Sequence, residues 1–234
     1  VRTCSWGRGV VAGYSAAELL DASCGPVGAP VEITVPGGGV HPCPGLVVRR
    51  DRLLRSEVVR VADVPVTTPL RTAYDLARTR ADLVDAVAAV DALSRVGRFA
   101  PQEVLRWAER YPRARGRRRL PRVVDLADPR AGSPMETRLR LLLVLRGLPG
   151  PEVQWVVQDE RRRRAVRLDL AYPERRIGIE YEGAEHTRPE RVLRDVGRGT
   201  DLVDHGRRLY RFTKYEVYGE PDEVVAKIER ALGA

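Results

Sequence analysis

The stretch RLDLAYPERRIGIEYEGAEH, Arg167 to His186, decides the fold. Side chains along a strand alternate between its two faces. Over 166–171 that rule puts Val166, Leu168 and Leu170 on one face and Arg167, Asp169 and Ala171 on the other. Over 177–182 it puts Ile177, Ile179 and Tyr181 opposite Gly178, Glu180 and Glu182. The PERR link has the length of a hairpin connection. The two segments are expected as neighbouring strands, with an apolar face buried under a helix and a second face gathering Asp169, Glu180 and Glu182. Glu185 and His186 follow at once. A solvated face is the plain explanation of such acids. Yet crowded carboxylates repel one another unless a cation lies among them, and this chain carries a net charge of +9.

The segments around this pair extend the pattern. GSPMETRLRLLLVLRGL has Ser133 as N-cap, Pro134 at the first helical position and Glu136 at the third. Its buried stripe is Met135, Leu139, Leu142 and Leu143. Glu136 has two candidate roles, a reciprocal cap to Ser133 or a carboxylate aimed at the sheet. VQWVVQ reads as a strand before the pair. RPERVLRDVGRGTDLVDHG reads as a helix with Val192 and Val196 inward and Arg191, Arg194 and Arg198 on another stripe. RRLYRFTK is a strand, and PDEVVAKIERALGA is a closing helix. The order predicts a mixed sheet flanked by helices over residues 133–234.

The front part, residues 1–128, predicts a smaller α+β domain of strands followed by helices. Ser15 and Glu18 have capping-box spacing for a short helix. PVEITVP, GLVVRRD and VVRVADVPV read as strands. PLRTAYDLART, ADLVDAVAAVDALSRV and PQEVLRWAERY have helical periodicity. YPRARGRRRLPR, with Arg117, Arg118 and Arg119, is either a solvated linker or a surface that touches phosphates without reading sequence. His41, Cys43, Cys4 and Cys24 lack paired zinc-knuckle spacing and predict a loop with buried thiols.

Composition bounds the function. The chain has 234 residues, with 41 Lys+Arg against 32 Asp+Glu, which implies an anionic partner. No apolar run is long enough to span a membrane. The three cysteines form no disulfide framework, which implies a reducing, cytoplasmic setting. The chain begins at Val1 and its one methionine is Met135, leaving room for a preceding segment.

Over about residues 133–232, Glu136, RLDLAYP, IEYEGAEH, RDVGR, DLVDHG and LYRFT together resemble the PD-(D/E)XK nuclease superfamily. The nearer resemblance is to the Vsr-like endonucleases and the domain-of-unknown-function 559 family. The front half, through SAAELL, PVEITVP and DVPVTTPLRTAYDLART, more loosely resembles AbiEi-type antitoxin regions of actinobacterial proteins. Such proteins often begin with a winged-helix domain, which this chain does not show. The first resemblance implies a restriction-endonuclease-like fold and metal-dependent hydrolysis of DNA, in repair or in phage or toxin–antitoxin defence. It implies Mg or Mn held by Asp169 and Glu180 with Glu136 in support. Glu182 stands where the superfamily has lysine and the Vsr-like relatives usually have aspartate. His186 is then a proton-transfer group or a cap of the next helix, and Lys214 is the one lysine able to approach the site. Arg194 and Arg198 would hold phosphate or pair with the acids. The rival reading is a catalytically inactive, antitoxin-like DNA-binding regulator on a relic nuclease fold. A third is a protein partner of a toxin.

Overall fold

The structure is a computed structural model that describes residues 9–159, 164–183 and 206–233. The chain divides into two compact units, Val1–Pro129 and Arg130–Ala234.

The front unit holds a five-stranded mixed sheet in the order β3-β2-β1-β5-β4. The strands are β1 (Val10–Val11), β2 (Val31–Val35), β3 (Leu46–Arg50), β4 (Val58–Val61) and β5 (Val64–Thr67). The central strand is only two residues long, yet it pairs antiparallel to β2 and parallel to β5. The short helix α1 (Gly13–Leu19) follows it. The expected capping box there is absent. Ala12 is the N-cap, and the Ser15 hydroxyl instead accepts the Glu32 N–H at 3.0 Å. Gly13 has φ +57°, and a Cβ there would overlap the Glu32 carboxylate. That carboxylate accepts the Tyr14 N–H at 2.9 Å.

Helices α2 (Pro69–Thr79), α3 (Leu83–Gly97), α4 (Glu103–Ala108) and α5 (Leu120–Asp125) complete the unit. Thr68 and Asp82 cap α2 and α3 by accepting the Arg71 and Asp85 N–H groups. The apolar stripe expected on α2 is present, but it shares the interior with Arg71, which is 0% exposed. Arg71 donates to Asp51 (2.6 Å), Glu57 (2.9 Å) and Asp75 (2.8 Å), and Tyr111 bonds Glu57 beside it. A buried charge persists only when paired and hydrogen-bonded, and these acids supply that from a loop, a turn and the helix itself.

The rear unit is a four-stranded sheet in the order β6-β7-β8-β9. Its strands are β6 (Glu152–Asp159), β7 (Arg164–Tyr172), β8 (Ile177–Glu182) and β9 (Arg208–Thr213). The first three are antiparallel neighbours and β9 is parallel to β8, so the sheet is mixed. The PERR link forms a short 3-10 turn closed by Arg176 at φ +52°. Helices α6 (Pro134–Leu145), α7 (Lys214–Gly219) and α8 (Pro221–Leu232) line one core. There Leu139, Leu143, Val217, Val224 and Ile228 meet Leu170, Ile177, Ile179 and Phe212. The chain is thus α/β, with two mixed sheets flanked by helices.

One expectation about β7 is corrected. Leu168 and Leu170 do not share a face. Leu170 packs in the helix-covered core, whereas Leu168 packs with Val157, Val166, Ala171 and Leu209. The switch falls at Asp169, across from Gln154, whose φ of +55° breaks the pleat of β6. The expected loop with buried thiols is half right, because Cys24 is buried and Cys43 is exposed.

Candidate functional site

The register of the rear sheet aligns one residue from each strand. β6 pairs Val153 with Leu170 and Trp155 with Leu168, so Gln154 stands across from Asp169. β7 pairs with β8 up to Leu170 and Ile179, and just beyond that pair the Asp169 side chain reaches the Tyr181 N–H beside Glu180. β8 sets Glu180 beside Arg211 of β9. The row Gln154, Asp169, Glu180 and Arg211 thus crosses all four strands.

Glu136 reaches this row from the first turn of α6. Ser133 caps the helix by accepting the Glu136 N–H at 3.2 Å. The Glu136 side chain does not return to Ser133. Its Oε2 accepts the Gly132 N–H and the Gln154 side-chain amide, each at 2.7 Å. The reciprocal cap to Ser133 expected for Glu136 is therefore not formed, and its carboxylate instead joins Gly132 to Gln154 of β6. Asp169 accepts the Tyr181 N–H at 2.9 Å. Glu180 accepts from Arg211 Nε at 3.1 Å.

Burial is the largest influence on Asp169, followed by the negative charge of Glu136. Together with Glu180 they outweigh the Tyr181 and Gln154 hydrogen bonds and push its carboxyl up to about 6. The row is thus a real concentration of negative charge. Arg211, two backbone N–H groups and one amide answer it. Two of these donors, Arg211 and Gln154, were not anticipated from the sequence. Arg211 had a signal, being at the core-alternate position of an anticipated strand. Gln154 had none, because nothing local announces its positive φ.

A divalent cation wants several convergent oxygens free of other partners. Glu136 Oε2 already accepts two N–H groups, Glu180 is ion-paired and Glu182 is exposed. Among the described residues no group of three or more His, Cys, Asp or Glu side chains is placed to hold a metal. The described residues alone do not assemble the implied Mg or Mn site, nor a zinc site at His41 and Cys43. Lys214 is exposed at the start of α7, with its amine 6.0 Å from the centre of the Tyr218 ring. His186, Arg194 and Arg198 lie outside the described residues.

In the front unit, Arg117, Arg118 and Arg119 form a 3-10 turn ahead of α5. Arg119 is committed to structure, donating to the carbonyls of Arg80, Ala81 and Asp82 beyond α2. Arg117 and Arg118 are exposed. No helix among the described residues is long and apolar enough to cross a membrane.

The front unit matches the family described as AbiEi antitoxin C-terminal domain, over residues 14–126. Two curated relatives from Mycobacterium tuberculosis align along most of the chain. "Uncharacterized protein MT2308" of strain CDC 1551 / Oshkosh is 34% identical over 203 residues, covering 84% of this chain and 72% of that protein. "Uncharacterized protein Rv2248" of strain ATCC 25618 / H37Rv matches with the same identity and coverage. No solved structure matches. The matched family lies wholly ahead of the acidic row, so the nuclease resemblance rests on the residues of the rear unit alone.

Proposed function

We propose that this chain, which belongs to the family of those two mycobacterial proteins and matches the AbiEi antitoxin C-terminal domain, acts as an antitoxin-like regulator that opposes a toxin and associates with nucleic acid through its basic surface. The match of residues 14–126 carries the reading, because it covers nearly all of the described front unit. The net charge of +9 supports an anionic partner. The rear sheet then serves as a folded scaffold. Its acids are answered by Arg211, Gln154 and backbone N–H groups.

Growth relief tests the reading. The protein encoded by the adjoining reading frame is expressed alone and then together with this chain. Arrest by the first and recovery with the second is the expected result. Unchanged arrest in the presence of soluble, folded chain overturns it.

Metal-dependent cleavage of DNA is the second reading, and one observation favours it. Burial, with the charges of Glu136 and Glu180 beside it, pushes the Asp169 carboxyl up to about 6. Plasmid nicking with Mn²⁺, compared between wild type and Asp169→Asn, separates the two readings.

A further inference from the structure

The front unit contains a cavity of about 660 Å³ between α4 and the 111–121 segment. Its volume falls within the roughly 300–1,000 Å³ of small-ligand sites. Leu105 and Leu120 supply apolar wall, and Arg113, Arg117, Arg118 and Glu109 bring charge to it. The wall is anchored. Gly116 turns the chain at φ +82°, where a Cβ would overlap the Arg78 carbonyl, and Arg119 ties the turn to the carbonyls beyond α2.

The buried and half-buried arginines of the unit are engaged, whereas those at this cavity are exposed. Arg71 and Arg78 share Asp51 and Asp75, and Arg49 and Arg80 share Glu32. Arg113, Arg117 and Arg118 line one cavity, and none of their side chains has a hydrogen bond or ion pair among the described residues. Three positive charges against the one carboxylate of Glu109 leave the cavity net positive, and an anion stabilises it.

We infer that this cavity takes an unpaired nucleotide of a single-stranded nucleic acid. The base enters between Leu105 and Leu120, and Arg113, Arg117 and Arg118 hold the flanking phosphates. Glu109 decides between ligand classes. An acidic peptide would meet a like charge there, whereas a base offers ring N–H and amino donors that a carboxylate accepts. A duplex presents phosphates but keeps its bases stacked inside, so it cannot use the apolar wall. The inference rests on the nucleic-acid part of the proposed function, and equal binding of strand and duplex would overturn it while leaving that function standing.

Fluorescence anisotropy with the full chain tests it, using a labelled single-stranded oligonucleotide of mixed sequence and the matching duplex at one salt concentration. The single strand should bind about tenfold tighter than the duplex or better, a difference that one buried base can supply. Arg118→Gln should weaken the single strand several-fold. Glu109→Gln is the sharper variant. On a surface that merely attracts phosphate, removing a negative charge strengthens binding, whereas here it should weaken binding of the single strand. Neither side chain has a hydrogen-bond or ion-pair partner among the described residues, and thermal melts confirm that both variants fold. Equal affinity for strand and duplex overturns the inference, as does tighter binding by Glu109→Gln or no binding at low salt. An acidic, leucine-containing peptide that binds the wild type more tightly than the strand does also overturns it.

Discussion

Arg211 stands beside Glu180 in the parallel register of β8 and β9, its Nε 3.1 Å from the Glu180 carboxylate. With side chains 33% and 24% exposed, the pair is partly screened by solvent. On its own it is worth about 1 kcal/mol or less. Its larger effect is on its neighbours, because it offsets one of three carboxylates. Arg211→Gln should therefore lower stability more at pH 8 than at pH 5, by about 1 kcal/mol at the higher pH. Urea unfolding at the two pH values measures this. An equal loss at both would mean that Arg211 acts through packing alone.

Asp169 gives a pH dependence of definite sign. Its folded value, about 6, lies above the ordinary 3.8. Between those values the folded chain binds more protons than the unfolded one, so this group's contribution to stability falls as pH rises through 6. Asp169→Asn removes the charge and keeps an oxygen to accept the Tyr181 N–H. At pH 8 the variant should be at least as stable as wild type. Its advantage should shrink as pH falls and vanish near 3.8. Denaturation of both proteins across that range checks the difference. A variant less stable at pH 8 than at pH 4, relative to wild type, would contradict it.

Glu32 should behave in the opposite sense. Burial alone would raise its carboxyl, but the Tyr14 N–H together with Arg80 and Arg49 outweighs burial and holds it below 4.5. The stabilisation is present above 4.5 and is lost as pH falls through the folded value. Glu32→Gln should cost about 2–3 kcal/mol at pH 7 and progressively less in acid. Chemical denaturation at pH 7 and pH 3 checks both the loss and its fading.

Arg71→Met should destabilise the front unit by about 3–5 kcal/mol at pH 7, because it leaves buried carboxylates without their cation. Glu57, itself fully buried, bears most of that cost. Guanidinium unfolding followed by the fluorescence of Trp107 reports on this unit. A loss below about 1 kcal/mol would show that water reaches the network.

Much of this architecture was legible because apolar periodicity is local. The alternation of Ile177, Ile179 and Tyr181 and the Leu139–Leu143 spacing each identify an element from one window of sequence. Three features were not legible. Val10–Val11 is too short to show a period, yet it is the middle of a sheet. Arg71 sits in an apolar stripe whose acids come from Asp51 and Glu57, so its burial is a tertiary fact, although the Arg71–Asp75 spacing hinted at it. In the rear unit, Asp169 has the charges of Glu136 and Glu180 beside it, while Glu182, expected on the same face, is exposed. Their partners Arg211 and Gln154 depend on strand register and on one positive φ, which no short pattern encodes. That difference changed the chemical reading. The acids alone ask for a metal, while in the fold the same acids already accept from Arg211, Gln154 and two backbone N–H groups.

Metal binding provides the decisive test of that change. Calorimetric titration of wild type with Mn²⁺ should give no saturable heat, since Glu180 and Glu136 are engaged with Arg211, Gly132 and Gln154. Supercoiled plasmid with Mg²⁺ or Mn²⁺ should remain intact. Arg211→Gln removes the cation built into the row and exposes the acids to solution cations. If charge is what the row lacks, this variant should acquire weak Mn²⁺ affinity that Asp169→Asn in the same background abolishes. Nicking by wild type that both Asp169→Asn and Glu180→Gln eliminate would sink the scaffold reading and restore the nuclease. Equal nicking by all three proteins would identify a contaminant. Failure of Arg211→Gln to gain affinity would show that geometry, rather than the Arg211 charge, keeps the cation out.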